Sequence, residues 1–289
     1  MQNPDPYLQL EEKIVRWAET QTAVYAVLRI GSRARQVGPA DEWSDLDLIL
    51  LAAAPEQYAQ DAAWLEVIGE PLIPVLERHE SGFEWLVLFA DGLKADFYFS
   101  PADEDVTAVL ARFPYSHVLQ RGTDVLYVQP GLALDLPPGA PPPVTLPTAV
   151  ALQHEVNTML LSGFKAARFI RRGDLWRAHL LLDTTMRSQL LTMIEWHAWA
   201  QFGPELDTWY NGRYLEDWAD ARAVAALPFT YAGYTAADSW RALLAMLTLY
   251  RWLAEETAVR CQLPFSPRAA DQVLAWIQEI YLTNSSTGI

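Results

Sequence analysis

The spacing of apolar and polar positions changes once along this 289-residue chain, and the change divides it. Up to about residue 130, short apolar runs of β type alternate with helical stretches. A helix is predicted over 7–20, with Leu10, Ile14 and Trp17 on one face, then a buried strand over 23–30 and the turn pair Gly31-Ser32. Further strands are expected over 46–51, 72–76, 83–90, 93–99 and 125–128. Helices over 55–66 and 101–112 each begin with proline. From Pro147 onward the period is helical: 147–172, 175–202, 236–261 and 267–282 are long and rich in Trp, Leu and Ala, with Gly173, Gly203 and Gly233 at the breaks. Seven prolines between Pro130 and Pro147 read as an extended connection. The predicted fold is α+β: a mixed sheet with flanking helices over 1–130, a Pro-rich linker over 131–147, and a helical bundle over 148–289.

Composition narrows the class. With 289 residues and 51% apolar positions, two domains can each bury a core. One cysteine, Cys261, makes neither an internal disulfide nor a zinc cage. No apolar run reaches the roughly 18 residues of a membrane span and the N-terminus lacks a signal layout, so a cytoplasmic protein off the membrane is expected. The net charge of −15 argues against duplex nucleic acid as a partner and favours a cationic one. Residues 1–130 carry 21 acids and 9 bases, so −12 of that charge lies in the first part.

The chemistry is concentrated there. Ile30-Gly31-Ser32-Arg33-Ala34-Arg35 is followed by a polar loop and then Ser44-Asp45-Leu46-Asp47-Leu48. Side chains alternate along a strand, so Asp45 and Asp47 share a face, roughly 6–7 Å apart, while the leucines point into the core. Such a pair suits Mg²⁺, which prefers hard oxygens and takes further ligands from substrate phosphates. The Gly31-Ser32 turn offers N–H groups and a hydroxyl to a triphosphate, and Arg33 and Arg35 are candidates for added phosphate contacts. A third carboxylate, Asp96, sits in an apolar strand where an acid needs a partner, and a metal ion is one. Lys94 is read on the opposite strand face from Asp96 and given no role.

Gly-Ser, a spacer, Asp-x-Asp and a later strand Asp, in that order, resemble the nucleotidyltransferase superfamily of the DNA-polymerase-β type. More narrowly, Gly31 to Ala34, Pro39 to Asp47 and Leu86 to Asp96 are similar to the aminoglycoside (streptomycin) 6-adenylyltransferases. Arg172 to Arg177, Leu190 to Trp196 and Asn211 to Leu215 echo the same family in the helical half. The resemblance implies transfer of AMP from ATP to an aminoglycoside hydroxyl with release of pyrophosphate, Mg²⁺ held by Asp45, Asp47 and Asp96, and nucleotide held by Gly31, Ser32 and Arg33. Where family members carry Asn-Glu-Phe ahead of the Gly-Leu-Trp-Arg element, this chain reads Leu161-Ser162-Gly163. The nearest acid, Glu155, becomes the candidate general base, with Asp183 second unless it pairs with Arg187 at i+4.

Bland readings compete. An isolated Asp-x-Asp is more often a solvated turn, Glu155 suits the first turns of any helix through the macrodipole, and the twelve tryptophans mostly pack cores. The five histidines show no ligand spacing. Another acceptor (a protein, a lincosamide or RNA) and a nucleotide sensor without turnover are the alternatives. The surplus acids Asp41, Glu42 and Glu84 near the motif strands are expected to attract a polycation, and no oligomeric state is assigned.

Overall fold

The computed structural model describes residues 5–35, 38, 40–103, 105–111, 116–136 and 144–285. The chain divides into two compact units, Met1–Pro142 and Pro143–Ile289. Of the predicted linker over 131–147, residues 137–143 lie outside the described residues.

In the first unit, helix α1 (Pro6–Glu19) begins where the Asp5 carboxylate accepts from the Tyr7 N–H at 3.0 Å, and it buries Leu10, Ile14 and Trp17 as the spacing predicts. Six strands follow: β1 (Val24–Ile30), β2 (Leu46–Ala52), β3 (Pro71–His79), β4 (Gly82–Phe89), β5 (Lys94–Pro101) and β6 (Asp124–Val128). They form one mixed sheet in the order β3-β4-β5-β2-β1-β6, in which β2 and β5 run parallel and the other pairs antiparallel. The central strand β2 is apolar almost throughout because both faces are covered. Leu46, Leu48 and Leu50 pack with Ile14, Trp17, Trp64 and Leu65, whereas Ile49 and Leu51 meet Val106, Leu110 and Leu119 on the far side.

Three expectations shift for local reasons. The helix predicted over 55–66 is two, α2 (Glu56–Gln60) and α3 (Trp64–Ile68), because the Asp61 carboxylate accepts from the Ala63 N–H at 2.8 Å and turns the chain between them. The ladder beside β2 continues past Pro101, where the Ala102 N–H donates to the Ala52 carbonyl, so the next helix, α4 (Val106–Ala111), starts later than 101. Residues 104 and 112 of that predicted helix lie outside the described residues. β3 is longer than 72–76 and tolerates Pro71 and Pro74 because it is an edge strand, paired with β4 alone. A short helix, α5 (Ser116–Gln120), was not expected.

The second unit is helical: α6 (Ala149–Arg171), α7 (Leu175–Leu180), α8 (Met186–Phe202), α9 (Leu215–Trp218), α10 (Ala221–Ala226), α11 (Ala236–Arg260) and α12 (Arg268–Ser285). Its core gathers Met159, Ile170, Met186, Met193, Trp240, Met246 and Leu253. Gly173, at φ +72°, ends α6, with the Asp174 N–H reaching back to the Phe169 carbonyl. The helix expected over 175–202 is interrupted by a π-helical turn at Leu181–Thr185. At Gly163 α6 passes close to α11: a Cβ there would lie 2.9 Å from a Leu247 methyl, so a larger side chain would have to displace the leucine. Among the described residues no helix is long and apolar enough to cross a membrane.

Candidate active site

The site is built at the end of β1 and the starts of β2 and β5. β1 closes at Ile30, and Gly31 takes φ +70° to open a 3₁₀ turn through Arg33. A Cβ at Gly31 would run into the Asp47 carboxylate, so glycine is required both for the backbone angle and for the acid behind it. Ser32 is buried in this turn. Asp45 stands just before β2, Asp47 lies on it, and Asp47 pairs with Asp96 across the parallel β2–β5 ladder. Asp45, Asp47 and Asp96 each present a carboxylate oxygen within 4.8 Å of the others. The structure therefore brings together the three acids that the sequence pattern selects.

Their electrostatics are those of a site short of positive charge. Burial, then repulsion from Asp45 and Asp96, pushes the Asp47 carboxyl up to about 7. Burial also raises Asp96, against the pull of Lys94, and Asp96 Oδ1 is buried with no hydrogen-bond partner among the described residues. A divalent cation fits this set: three hard oxygen donors, one of them unpartnered, and an ammonium already drawn among them.

That ammonium belongs to Lys94 and corrects the sequence reading. Residues two apart on a strand share a face, so Lys94 lies beside Asp96. Its Nζ donates to Asp45 Oδ2 at 2.7 Å and Asp96 Oδ2 at 2.6 Å. Burial pulls its pKa down, but the bonds to Asp45 and Asp96 outweigh that and it rises.

Arg33 has several partners within the fold. Its guanidinium donates to Asp5 Oδ2 at 2.7 Å and to the carbonyls of Ser44 and Asp45, and stacks 3.8 Å over the Tyr7 ring. It ties the turn to α1 and to the residues before β2, and its side chain is only 9% exposed. Arg35 donates to the Gly38 carbonyl within its own loop.

One cluster escaped the sequence reading. Glu77 and His79 on β3 and Glu84 on β4 each offer a donor atom within 4.8 Å of the others. Glu77 pairs with Glu84 across the ladder, and Glu84 shares the face of Leu86, the partner of Asp96. Burial and the Asp96 charge raise the Glu84 carboxyl. The clue was present: 77, 79 and 84 have the same facing once the β3–β4 register is known, but the register is not readable from β3 alone.

The helical unit holds Glu155 on α6, its carboxyl raised by burial, and the Tyr250 phenol is raised by burial and by Glu155. Asp183 sits in the π-helical turn with its side chain 49% exposed, near His179 Nδ1 at 3.4 Å. It does not pair with Arg187: the wider turn alters the i+4 alignment, and Arg187 donates to Thr230 and lies over the Tyr231 ring.

A mixed sheet carrying a Gly-Ser turn and three converging acids on adjoining strands is a nucleotidyltransferase fold. Residues 7–280 match the family model described as streptomycin adenylyltransferase, and the chain belongs to that family of adenylyltransferase enzymes. Among its relatives, an aminoglycoside 6-adenylyltransferase of Campylobacter jejuni is 21% identical over 271 residues, 91% of each chain. Another, of Bacillus subtilis (strain 168), is 21% identical over 241 residues, 76% of this chain and 79% of its own. The crystal structure of an aminoglycoside 6-adenyltransferase from Bacillus subtilis is similar over 95% of this chain and 97% of its own, at 16% identity and a TM-score of 0.46.

Proposed function

We propose that this enzyme transfers AMP from ATP to a hydroxyl of a streptomycin-type aminoglycoside and releases pyrophosphate. The observation that carries the reading is the convergence of Asp45, Asp47 and Asp96 beside the Gly31-Ser32 turn. The family match and the names of the relatives support the acceptor class, and use of ATP suits a cytoplasmic enzyme.

In this reading the turn's N–H groups and the Ser32 hydroxyl hold the β- and γ-phosphates, where the tight Gly31 backbone permits close approach. Asp45 and Asp47 would hold the nucleotide's divalent cation, with Asp96 completing the donor set; Mg²⁺ matches these hard oxygens. When bound, that ion offsets phosphate charge and acidifies a nearby hydroxyl. The acceptor oxygen attacks the α-phosphorus as the bond to the bridging oxygen breaks, and the hydroxyl proton passes to a carboxylate. Glu155 is our candidate for that proton; burial raises its carboxyl above the ordinary carboxylate value.

A polycationic acceptor finds complementary charge on the first unit. Glu84 and Glu77 lie on the sheet face that carries Asp96. The test is incubation of the protein with ATP, Mg²⁺ and a panel of aminoglycosides, read by mass spectrometry and pyrophosphate release. A product one AMP heavier is expected with streptomycin. ATP binding without an adduct from any aminoglycoside would remove the acceptor assignment.

A further inference from the structure

Lys94 is placed in a way the proposed reaction does not use. Its main-chain N–H donates at 3.3 Å to the hydroxyl of buried Tyr7 on α1. Its side chain is half-exposed, and the ammonium is lodged between Asp45 and Asp96 at 2.7 and 2.6 Å. The two carboxylates it touches belong to the group of three that each offer an oxygen within 4.8 Å of the others. A magnesium ion binds oxygens at about 2.0–2.1 Å, so an ion shared by these carboxylates and the Nζ of Lys94 cannot both sit there. The long, flexible stem of lysine lets the ammonium leave without moving the strand.

We propose that Lys94 is a built-in counter-ion that holds the acid triad together in the metal-free enzyme and is displaced toward solvent when a divalent cation enters. The inference rests on the reading of Asp45, Asp47 and Asp96 as the cation site. In the absence of metal, three carboxylates on adjoining strands repel one another, and the tethered ammonium offsets part of that repulsion. It also competes for the ligand oxygens, which sets the cation concentration at which the site fills.

The chain has three lysines, Lys13, Lys94 and Lys165, so the displacement is directly readable by amine acylation of the wild-type protein followed by peptide mass spectrometry. With Mn²⁺ alone as probe, the acylation rate of Lys94 should rise several-fold at saturation while Lys13 and Lys165 serve as references. An unchanged or reduced rate would overturn the proposal. In parallel, Lys94→Met should bind Mn²⁺ about tenfold tighter by titration calorimetry, the effect of losing one charge-assisted competitor, and its melting temperature should rise more on adding Mn²⁺. Lys94→Gln, which removes the charge but keeps a polar N–H donor, carries the same expectation if the Met variant does not fold. Equal or weaker Mn²⁺ binding in the folded variant would contradict the role. Asp47→Asn separates the two readings: if it binds Mn²⁺ as the wild type does, the cation-site reading fails and this inference with it. If it loses Mn²⁺ binding while Lys94 stays unreactive in the wild type, only the inference fails.

Discussion

Asp47 stands on a strand whose neighbours Leu46, Leu48 and Leu50 are fully or almost fully buried, and its charge is tolerated because the Gly31 turn leaves room on the other face. That dependence gives a residue-scale prediction. Gly31→Ala must hold an L side chain at positive φ, which costs about 1–2 kcal/mol, and must also push the Asp47 carboxylate aside. We expect a lower melting temperature and a loss of Mn²⁺-dependent ATP binding by calorimetry; unaltered ATP affinity would show that the turn does not shape the phosphate site. Asp45 and Asp47 were legible in the sequence because strand alternation places them on one face, and Asp96 stood out as an acid in an apolar strand, although its place beside them depends on the β2–β5 pairing. The same alternation applies to Lys94 and Asp96, so that neighbour was also legible, though misassigned. Arg33 was not: its partners Asp5 and Tyr7 lie on α1, and only the tertiary fold brings them to the turn.

At the scale of elements, the strands were readable from apolar runs and the long helices from their period, with glycine at their ends. The π-helical turn at Leu181–Thr185 was not, because nothing in a run of helix formers marks one added residue in a turn. On α8 a further acid has an unusual setting. Burial, opposed by a hydrogen bond with Thr208, raises the Glu195 carboxyl to about 7. A folded-state value above the unfolded one near 4.5 means that its contribution to stability is fully present below about pH 4.5 and lost as pH rises through about 7. Glu195→Gln removes the ionisation and keeps the shape. Thermal melts should show the variant more stable than the wild type by about 2–4 °C at mildly alkaline pH, the response to about 1 kcal/mol in a chain of this size, and nearly equal to it in mild acid. A gap independent of pH would contradict the burial argument.

For the whole molecule, the net charge of −15 is carried chiefly by the part that holds the triad. Acids engaged with a metal ion or with Lys94 attract little else, which leaves Glu77, Glu84, Asp41 and Glu42 to draw in a polycation. Raising salt from about 50 to about 300 mM shortens the screening length about 2.5-fold, from about 14 Å to about 6 Å, which weakens such steering. Accordingly kcat/KM for a multiply charged aminoglycoside should fall several-fold, whereas a flat salt profile in steady-state kinetics would remove the electrostatic account of acceptor capture.

The most direct test of the central claim is mass spectrometry of streptomycin incubated with ATP and Mg²⁺ and either the wild-type protein or Asp47→Asn. A product one AMP heavier, with equimolar pyrophosphate, is expected from the wild type and none from the folded variant. An adduct formed equally well by Asp47→Asn, or none from the wild type while it binds ATP, would contradict that claim.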